Sequence, residues 1–543
     1  MGKRSTTTRH INWHSTAAGS LTGIIAAGSL FAVAELGSAF FGPAASPLTS
    51  VGSTFIDFTP AWLKNFAIAT FGTNDKLVLL ISMAVAAAVL AAVAGVVARR
   101  NFRTGAAMVL GFALVMALSI ITRAGAGVFD LVPLLLGTGA GLWVLRYLTD
   151  AARGSATRPA SPTQLHGPEG PTAAGTTAAP VPDVAPSPSR RAFLMRSAAV
   201  AGVAVVVGFG GTLLSTARNT AVAVREALKL PAPKTKAAPL PAGVQAPVDG
   251  VTPFVTPNND FYRIDTALIV PEIDPANWEL RVHGMVENEF TLGFEELLAQ
   301  ELIESYVTLT CVSNVVGGNL AGNAKWLGYP LREVLARAKP KAGADMVLST
   351  SIDGFSASTP LPVLQDSRDA ILAVGMNGEP LPLELGFPVR MVVPGLYGFV
   401  SATKWVVDLE VTTFAQKAGY WTSRGWSSHG PIKTASRIEV PRALARVPAG
   451  KVAIGGSAWA QTTGISKVEV QLDGGAWQLA ELAAEASVDT WRQWSYSWED
   501  ATAGTHTVRV RAYDADGQLQ IQEQAPPEPD GSSGWHSMTF TVV

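Results

Sequence analysis

Cysteine is almost absent from this chain: Cys311 is the only one in 543 residues. A lone cysteine cannot form a disulfide within the chain, and it offers no C-x-x-C pair for a structural zinc site. The seven histidines are scattered and contain no H-E-x-x-H pair, which excludes that type of zinc enzyme. Two interpretations of Cys311 remain open: a single soft thiolate ligand for a transition metal, or a small buried apolar side chain.

Charged residues are also scarce: they make up 15% of the chain, against 48% hydrophobic residues, and the net charge is −1. The excess of hydrophobic residues is concentrated in five apolar segments. Each is long enough to cross a bilayer core, which takes about 20 apolar residues. These segments are residues 16–41, 77–97, 104–122, 127–147 and 197–216. We predict an N-terminal α-helical transmembrane bundle of four spans over residues 1–150, with the fifth segment separate from it.

Basic residues flank these segments unevenly, and lysine and arginine collect on the cytoplasmic side of membrane spans. The basic clusters precede the first segment, separate the second from the third and follow the fourth: Lys3, Arg4, Arg9, Arg99, Arg100, Arg103, Arg146, Arg153 and Arg158. This pattern predicts a multi-pass bundle in the cell membrane with both ends in the cytoplasm. Glu35, within the first segment, is either a functional candidate or a paired structural carboxylate. The segments contain no histidine, which argues against a haem carried by the bundle.

Pro- and Ala-rich stretches separate the membrane segments from the rest of the chain. Residues 151–188 have the composition of a disordered linker. Residues 189–195 (SRRAFLM), directly before the fifth apolar segment, match the twin-arginine export pattern, whose route carries folded proteins. We predict a signal or anchor helix over 189–220, a tether over 221–249, and a catalytic half on the extracytoplasmic side. Ala221-Val222-Ala223 is a candidate cleavage site, and we favour retention of the helix.

The exported half contains several spaced motifs around Cys311. An apolar strand gives way to a polar, Gly-rich loop at residues 308–314 (TLTCVSN). The other motifs follow in order: 325–331 (KWLGYPL), 375–382 (GMNGEPLP), 386–390 (GFPVR), 393–395 (VPG) and 401–405 (SATKW). Together they resemble the molybdopterin-binding domain of the sulfite oxidase family. The resemblance covers roughly residues 250–543 and implies a molybdenum-dependent oxidoreductase.

The resemblance also implies a set of site residues. It implies Mo-molybdopterin as the cofactor, with Cys311 as the molybdenum ligand and a catalytic residue. It places cofactor contacts at Asn259, Tyr262, Arg263, Ser351, Arg390, Ser401, Thr403 and Lys404. Arginine offers a planar fork for phosphate, which suits Arg390 in an otherwise apolar strand. Leu385 departs from the family, which usually has His or Asn there, so one cofactor contact is missing or replaced.

The residues after the cysteine bear on the substrate. Family members that oxidise sulfite have a Gly-Asn-Arg-Arg type run there, whereas Val315 and Val316 stand at the arginine positions of this chain. Lys325, near the place of another arginine, is a catalytic candidate that lacks the planar fork. We therefore expect two-electron oxygen-atom transfer with a neutral small molecule such as a sulfoxide or N-oxide. The alternatives are a sulfite oxidase or dehydrogenase in which Arg424 or Arg437 replaces the missing cations, and a non-catalytic surface-binding protein with a degenerate cofactor fold.

The pattern of the exported half favours an α+β domain over residues 250–426, followed by an immunoglobulin-like β-sandwich over 427–543. The first part has no G-x-G-x-x-G motif and no P-loop, so a dinucleotide site has no support there. Alternating stretches such as 468–472 (VEVQL) and 494–498 (WSYSW) characterise the second. In the family this module mediates homodimer contacts. We expect a multi-domain homodimer with a cytochrome or quinone-linked electron carrier and no nucleic acid partner.

Overall fold

The computed structural model of the chain describes residues 13–41, 45–60, 63, 66, 70–71, 75–123, 126–154, 194–207 and 220–543. The chain forms two compact units, Met1–Arg218 and Asn219–Val543, and each is described by itself. The predicted linker and the twin-arginine motif lie almost entirely outside the described residues.

The first unit is α-helical, as expected. Its helices are α1 (Trp13–Ser38), α2 (Pro47–Phe58), α3 (Asp75–Arg100), α4 (Phe102–Ile121), α5 (Val132–Gly154) and α6 (Leu194–Val207). Among the described residues, four helical stretches are long and apolar enough to cross a membrane: Thr16–Ser38, Lys76–Arg100, Phe102–Ile121 and Val128–Ala151. They coincide with the first four apolar segments of the sequence. Helix α6 covers the first part of the fifth segment, whose remainder, 208–216, lies outside the described residues.

Small residues let α1 pack closely on α3 and α5. A Cβ atom at Gly23 in α1 would lie 1.9 Å from the carbonyl oxygen of Ala91 in α3. One at Gly137 in α5 would lie 2.5 Å from the carbonyl oxygen of Leu30 in α1. Larger side chains at these two glycines would force the helices apart. Small residues at such crossings are typical of helices that associate within a bilayer.

Glu35, the ionisable residue of the first span, has local polar partners. Its carboxylate accepts hydrogen bonds from Ser46 Oγ at 2.9 Å and from the Leu48 amide at 3.2 Å. Both partners lie at the start of α2, where the first amides have no acceptor within the helix. Glu35 therefore joins the end of α1 to the start of α2, which supports its interpretation as a paired structural carboxylate.

The second unit begins with an α+β part built from two sheets. Its strands are β1 (Glu279–Gly284), β2 (Phe290–Gly293), β3 (Ile303–Thr310), β4 (Ala321–Pro330), β5 (Met346–Ser351), β6 (Ser356–Pro360), β7 (Ile371–Met376), β8 (Glu379–Pro380), β9 (Arg390–Val392) and β10 (Val406–Thr412). Its helices are α7 (Thr220–Ala227), α8 (Phe294–Leu298), α9 (Leu331–Ala338) and α10 (Leu361–Gln365). One sheet has the order β2-β1-β10-β5-β6; the other has β3-β4-β7-β8, with β9 paired to β7. Buried tryptophans at 278, 326 and 405 fill its cores.

The C-terminal part of this unit is a pair of sheets that are antiparallel except for the parallel pair β12–β19, and the alternating sequence predicts such strands. Its strands are β11 (Ala435–Val440), β12 (Arg446–Val447), β13 (Gly450–Trp459), β14 (Ile465–Leu472), β15 (Trp477–Leu479), β16 (Glu481–Leu482), β17 (Arg492–Ala501), β18 (Gly504–Asp514) and β19 (Ser537–Val542). The sheets have the orders β11-β13-β17-β16 and β12-β19-β18-β14-β15. Inward-facing residues of both sheets, including Trp494 and Phe540, share one buried cluster. This arrangement confirms the immunoglobulin-like sandwich.

The two parts of the second unit meet beside the strand that leads to Cys311. The Thr308 amide donates to the Asp489 carbonyl oxygen at 3.0 Å, and the Trp491 amide donates to Thr308 Oγ1 at 2.8 Å. Gln461 Nε2 donates to the Thr308 carbonyl oxygen as well. The sandwich therefore lies against β3 and helps to hold the segment that ends at Cys311.

Residues 220–250 are part of this folded unit, which corrects the expectation of a tether over 221–249. Val244 and Ala246 are buried, and Thr235 forms a parallel bridge with Ile303 at the start of β3. Leucine and valine residues are interspersed among the prolines and alanines of this stretch, and they find apolar surface on the α+β part. Composition alone does not reveal such a surface.

Candidate active site

Cys311 directly follows β3 and lies in a tight turn. Its amide donates to the Leu320 carbonyl oxygen at 2.9 Å, and its carbonyl oxygen accepts from the Asn314 amide at 3.1 Å. The Asn314 side chain closes the turn by accepting a hydrogen bond from the Leu320 amide at 2.9 Å. Cys311 is a free thiol and is only 9% exposed. Burial raises the pKa of this thiol, while hydrogen bonds with Ser313 and the charge of Lys404 oppose that rise.

Arg390 opens β9 and is buried without a carboxylate partner in the described part of the chain. Its Nη1 donates to the Leu385 carbonyl oxygen at 3.0 Å, and its Nε donates to that of Met391 at 3.4 Å. The guanidinium lies 5.2 Å from the ring centre of Trp326. Burial lowers the pKa of Arg390 to about 10. A buried cation with only neutral partners is unfavourable, and an anion bound there would relieve it.

Tyr262 connects the cysteine with the arginine. Burial, and then the charge of Cys311, raise the pKa of the Tyr262 hydroxyl, whereas Arg390 lowers it. Its ring stacks on that of Phe261 at 5.2 Å between ring centres. Because Tyr262 interacts electrostatically with both Cys311 and Arg390, these three predicted site residues form one cluster.

Lys404 and Arg263 share one carboxylate. Lys404 Nζ and Arg263 Nε each lie 2.8 Å from Asp265 Oδ2, and Lys404 Nζ also donates to the Glu384 carbonyl oxygen at 3.0 Å. Burial lowers the pKa of Lys404 to about 8, although Asp265 raises it. Sequence reasoning missed Asp265. The available signal was its position in the sequence, two residues after Arg263.

Gly386 separates the two buried cations. Its φ of +119° lies in the left-handed region that favours glycine. A Cβ atom at this position would lie 2.9 Å from Arg390 Cβ and 3.2 Å from Lys404 Cβ. The absence of a side chain therefore lets Arg390 and Lys404 pack closely against the backbone of Gly386.

The predicted hydroxyl residues all lie in the α+β part and are buried. Ser401 Oγ donates to the Tyr397 carbonyl oxygen at 3.0 Å. Thr403 Oγ1 and Ser349 Oγ share a hydrogen bond of 2.7 Å, and Ser351 ends β5 on the neighbouring strand. In this structure the hydroxyls of Ser401 and Thr403 hold the segment that leads to Lys404.

Two predicted residues lie apart from the cluster. Asn259 is exposed, within a short 3₁₀ turn. Lys325 lies in β4, four residues beyond Ala321, which pairs with Thr310. At about 3.3 Å per residue, Lys325 is about 13 Å along the strand from the end that carries the cysteine. Its Nζ pairs with Glu304 Oε1 at 2.7 Å. The structure does not bring Lys325 to the cysteine.

A cavity of about 20 Å³ adjoins the cysteine turn. Residues of the turn, including Val316, form one wall; Tyr397 and residues 532–534 of the sandwich form others. None of the described residues that line this cavity is a lysine, arginine, aspartate or glutamate. Thr310 Oγ1, in its wall, is buried without a hydrogen-bond partner among the described residues. Burial raises the pKa of Tyr397 to about 12, so the cavity is lined by neutral groups.

Neither arginine that could replace the missing cations lines this cavity. Arg437 Nε pairs with Glu439 Oε1 at 2.8 Å, and its Nη1 donates to the Gly318 carbonyl oxygen at 3.2 Å. Arg424 lies 3.6 Å from the ring centre of Tyr420 and donates to the carbonyl oxygen of the same residue at 2.8 Å. The structure therefore places both arginines in other interactions.

Comparisons with known proteins find similar domains in other chains. Residues 267–421 match the family described as Oxidoreductase molybdopterin binding domain, and residues 436–510 match the family described as Bacterial Ig domain. The chain is 29% identical over 342 residues to the mitochondrial sulfite oxidase of Mus musculus, which covers 53% of this chain and 62% of that protein's length. It is 32% identical over 157 residues to the uncharacterized oxidoreductase YuiH of Bacillus subtilis (strain 168), which covers 29% of this chain and 76% of that protein. The sulfane dehydrogenase SoxCD from Paracoccus pantotrophus aligns with a TM-score of 0.48 at 22% identity, over 55% of this chain and 85% of that chain.

Proposed function

Because the chain belongs to the sulfite oxidase family of molybdopterin-dependent oxidoreductases, we propose that it transfers an oxygen atom to or from a neutral small molecule outside the cytoplasmic membrane. Its α+β part is a molybdopterin-binding domain, and the cofactor is Mo-molybdopterin. The observation that carries the choice of substrate is the uncharged lining of the cavity beside the cysteine turn.

The residues of the site fit this cofactor. A thiolate is a soft ligand suited to molybdenum, and Cys311 is the only cysteine in the chain. Arg390 is buried with neutral partners, so a phosphate of the cofactor would supply the anion that it lacks. Gly386 lets both buried cations pack against its backbone. When bound, the cofactor supplies two-electron oxygen-atom transfer. We assign its contacts to Cys311, Tyr262, Arg263, Arg390 and Lys404, with Ser401 and Thr403 supporting Lys404.

The charge balance around the cavity favours a neutral substrate. An oxyanion such as sulfite needs several converging cations to offset the loss of its hydration. Here Lys404 and Arg263 share Asp265, and Arg437 pairs with Glu439. A sulfoxide or N-oxide loses less hydration than sulfite on leaving water, because it has no net charge.

We also propose that the enzyme is a multi-pass membrane protein with its second unit on the extracytoplasmic side. Four apolar helices and the twin-arginine motif support this location. The candidate cleavage site 221–223 lies inside α7. Proteases bind extended chains, and a protein exported in its folded state would present these residues as a helix. The position of the site therefore supports retention of the anchor helix.

The remaining partners are proposed from the family. Single electrons would leave to a cytochrome or quinone-linked carrier, since the four candidate membrane spans, Thr16–Ser38, Lys76–Arg100, Phe102–Ile121 and Val128–Ala151, have no histidine to bind a haem. The immunoglobulin-like part would mediate homodimer contacts. Sedimentation of the detergent-solubilised protein measures its oligomeric state and so tests the proposed homodimer.

Steady-state assays of the purified full-length enzyme test the choice of substrate. Reduction of methionine sulfoxide and of trimethylamine N-oxide by a reduced dye should exceed sulfite oxidation by at least about tenfold in kcat/KM, the factor that about 1.4 kcal/mol provides. Val315→Arg combined with Val316→Arg should lower KM for sulfite, whereas the matched change of both valines to Met should not. Efficient sulfite turnover by the unmodified enzyme would contradict the proposal.

A further inference from the structure

The carbonyl groups of residues 380–386, which we call the cofactor loop, accept hydrogen bonds from side chains of distant segments. Three of these donors come from the segments that bind the cofactor: Trp405 Nε1 (2.9 Å to Leu383 O), Lys404 Nζ (3.0 Å to Glu384 O) and Arg390 Nη1 (3.0 Å to Leu385 O). The position of the loop and the positions of the two buried cations therefore depend on one another.

Arg225 binds the other end of the cofactor loop from helix α7. Its Nε donates to the Leu381 carbonyl oxygen at 2.7 Å, and its Nη2 donates to that of Pro380 at 3.0 Å. The planar guanidinium thus engages two adjacent carbonyl groups, which fixes their orientation. Glu379 Oε2 lies 3.8 Å from Nη2, but its side chain is 67% exposed, so this ion pair is the weaker contact.

The stretch after α7 holds Arg225 in place. Leu230 Cδ1 lies 2.6 Å from the point that a Cβ atom at Gly375 would occupy, so this leucine fills the space beside β7. Thr235 then forms a parallel bridge with Ile303, at the start of the strand that ends at the cysteine. The stretch that directly follows Arg225 is therefore built into the cofactor domain.

We propose that Arg225 is a positioning residue that keeps the cofactor loop closed and so slows the release of the molybdenum cofactor. The inference rests on the proposed function for the identity of the cofactor, but not for the effect on the loop. Without Arg225, two adjacent carbonyl groups lose their charged donor, and the loop opens more often. Each opening moves the acceptors of Lys404 and Arg390, and these two cations then hold the phosphate less firmly.

Hydrogen exchange of the full-length protein in detergent tests the loop directly. The amides of Leu385, Gly386 and Phe387 donate to carbonyl oxygens of Pro382 and Leu383 within the loop, so their exchange reports its opening. In protein produced without molybdenum cofactor, Arg225→Gln should speed exchange of these amides by about tenfold, the loss expected for one or two charge-assisted hydrogen bonds. Arg225→Lys, which can bind one carbonyl group, should give an intermediate rate.

A second measurement follows the molybdenum that remains in the loaded enzyme during dialysis. Arg225→Gln should lose it about tenfold faster than wild type, by the same loss of hydrogen bonds. The matched control is Arg281→Gln, which breaks only an exposed pair with Glu289 and should change neither rate. A structural role alone would lower the melting temperature without a local change in exchange at the loop.

Unchanged exchange of the loop in Arg225→Gln overturns the inference. Faster exchange with unchanged molybdenum loss also overturns it, because the loop would then open without releasing the cofactor. Failure of the proposed function would look different: wild-type protein would contain no molybdenum, whatever the exchange rates of the variants.

Discussion

At the scale of single residues, Asp265 decides how the cations of the site are held before the cofactor binds. Its carboxylate lies 2.8 Å from both Lys404 Nζ and Arg263 Nε. This contact keeps both side chains in place, which reduces the conformational entropy lost when a phosphate arrives. The same carboxylate repels the phosphate. Binding therefore requires Arg390, which has no carboxylate of its own in the described part of the chain, to contribute most of the attraction.

Cys311→Ser should abolish turnover while the fold and much of the pterin remain. The serine hydroxyl is a poor ligand for a soft metal, whereas the phosphate contacts of Arg390 and Lys404 do not involve the sulfur. Elemental analysis, pterin fluorescence after release and circular dichroism of the purified variant measure the three quantities. Full activity in the variant would exclude Cys311 as the metal ligand.

Asp489→Asn should stabilise the second unit near pH 7.5. It should not do so below about pH 4, which is the ordinary pKa of an aspartate. Burial, and then the charge of Asp369, raise the pKa of Asp489 to about 6. A carboxyl whose pKa is higher in the folded state stabilises that state fully below its unfolded pKa, and this stability is lost as pH rises through the folded pKa. Asparagine cannot ionise, so the variant should not lose this stability as the pH rises.

The expected gain at pH 7.5 is about 1 to 2 kcal/mol, after allowance for the partial exposure of Asp489. Urea unfolding at pH 4 and pH 7.5, followed by tryptophan fluorescence, measures it. Asp516→Asn, in an exposed turn of the same sandwich, is the control and should show little effect at either pH. An equal gain for Asp489→Asn at both pH values would contradict the proposed cause.

At the scale of elements, strand β11 joins the α+β part to the sandwich through one buried carboxylate. Glu439 Oε1 accepts from Arg437 Nε and from Ser457 Oγ, both at 2.8 Å, and Oε2 accepts from the Thr252 amide at 2.6 Å. Burial by itself raises the pKa of Glu439, but Arg437 and the hydrogen bonds outweigh it and lower the pKa. The strand therefore fixes residues that are far apart in the sequence.

Glu439→Gln should reduce the free energy of unfolding of the second unit by about 3 kcal/mol near neutral pH, because it leaves Arg437 buried and uncompensated. The tryptophan rings at 459 and 491 lie 5.9 and 5.3 Å from that guanidinium and report the change by fluorescence during urea unfolding. Glu289→Gln, which breaks an exposed pair, should change stability by no more than about 1 kcal/mol. Comparable losses in both variants would show that burial of the pair is not the cause.

At the scale of the whole molecule, the proposed location rests on two separate signals in the sequence. We expect the first four apolar segments to insert by themselves, and we propose that export of the second unit depends on the twin-arginine motif that precedes it. Folding before export suits a unit whose core would have to enclose a large cofactor. The sandwich and the α+β part meet at Thr308 of β3.

Arg190→Lys combined with Arg191→Lys should leave the second unit in the cytoplasm while the first four spans still insert. Conservative lysines keep the positive charge and remove only the paired arginines that the export pattern requires. External protease added to spheroplasts should digest residues 250–543 of the wild type and spare them in the variant. The control is Lys3→Arg combined with Arg4→Lys, which should behave as wild type. Digestion of the double variant would disprove the export assignment.

Much of the architecture follows from the sequence because hydrophobic pattern is local. Runs of about 20 apolar residues predict the four long helices, and period-two alternation predicts strands such as β14 and β17. The spaced motifs around Cys311 indicate the cofactor family, since each motif keeps its own composition. The resemblance also selected Arg390, Tyr262 and Lys404, which the fold places around the cysteine.

Other features depend on contacts between residues that are distant in the chain, and only the tertiary structure decided them. Asp265 lies between Arg263 and Lys404 because the fold packs two loops that are distant in the sequence against each other. Lys325 matches a family position, yet the register of β3 and β4 places it opposite Tyr306, and its Nζ forms an ion pair with Glu304. The tether composition of residues 221–249 gave no sign that Arg225 binds the cofactor loop. Hydrophobic periodicity depends only on residues that are close in the sequence. Hydrogen-bond and charge partners depend on how distant segments pack, which no local pattern contains.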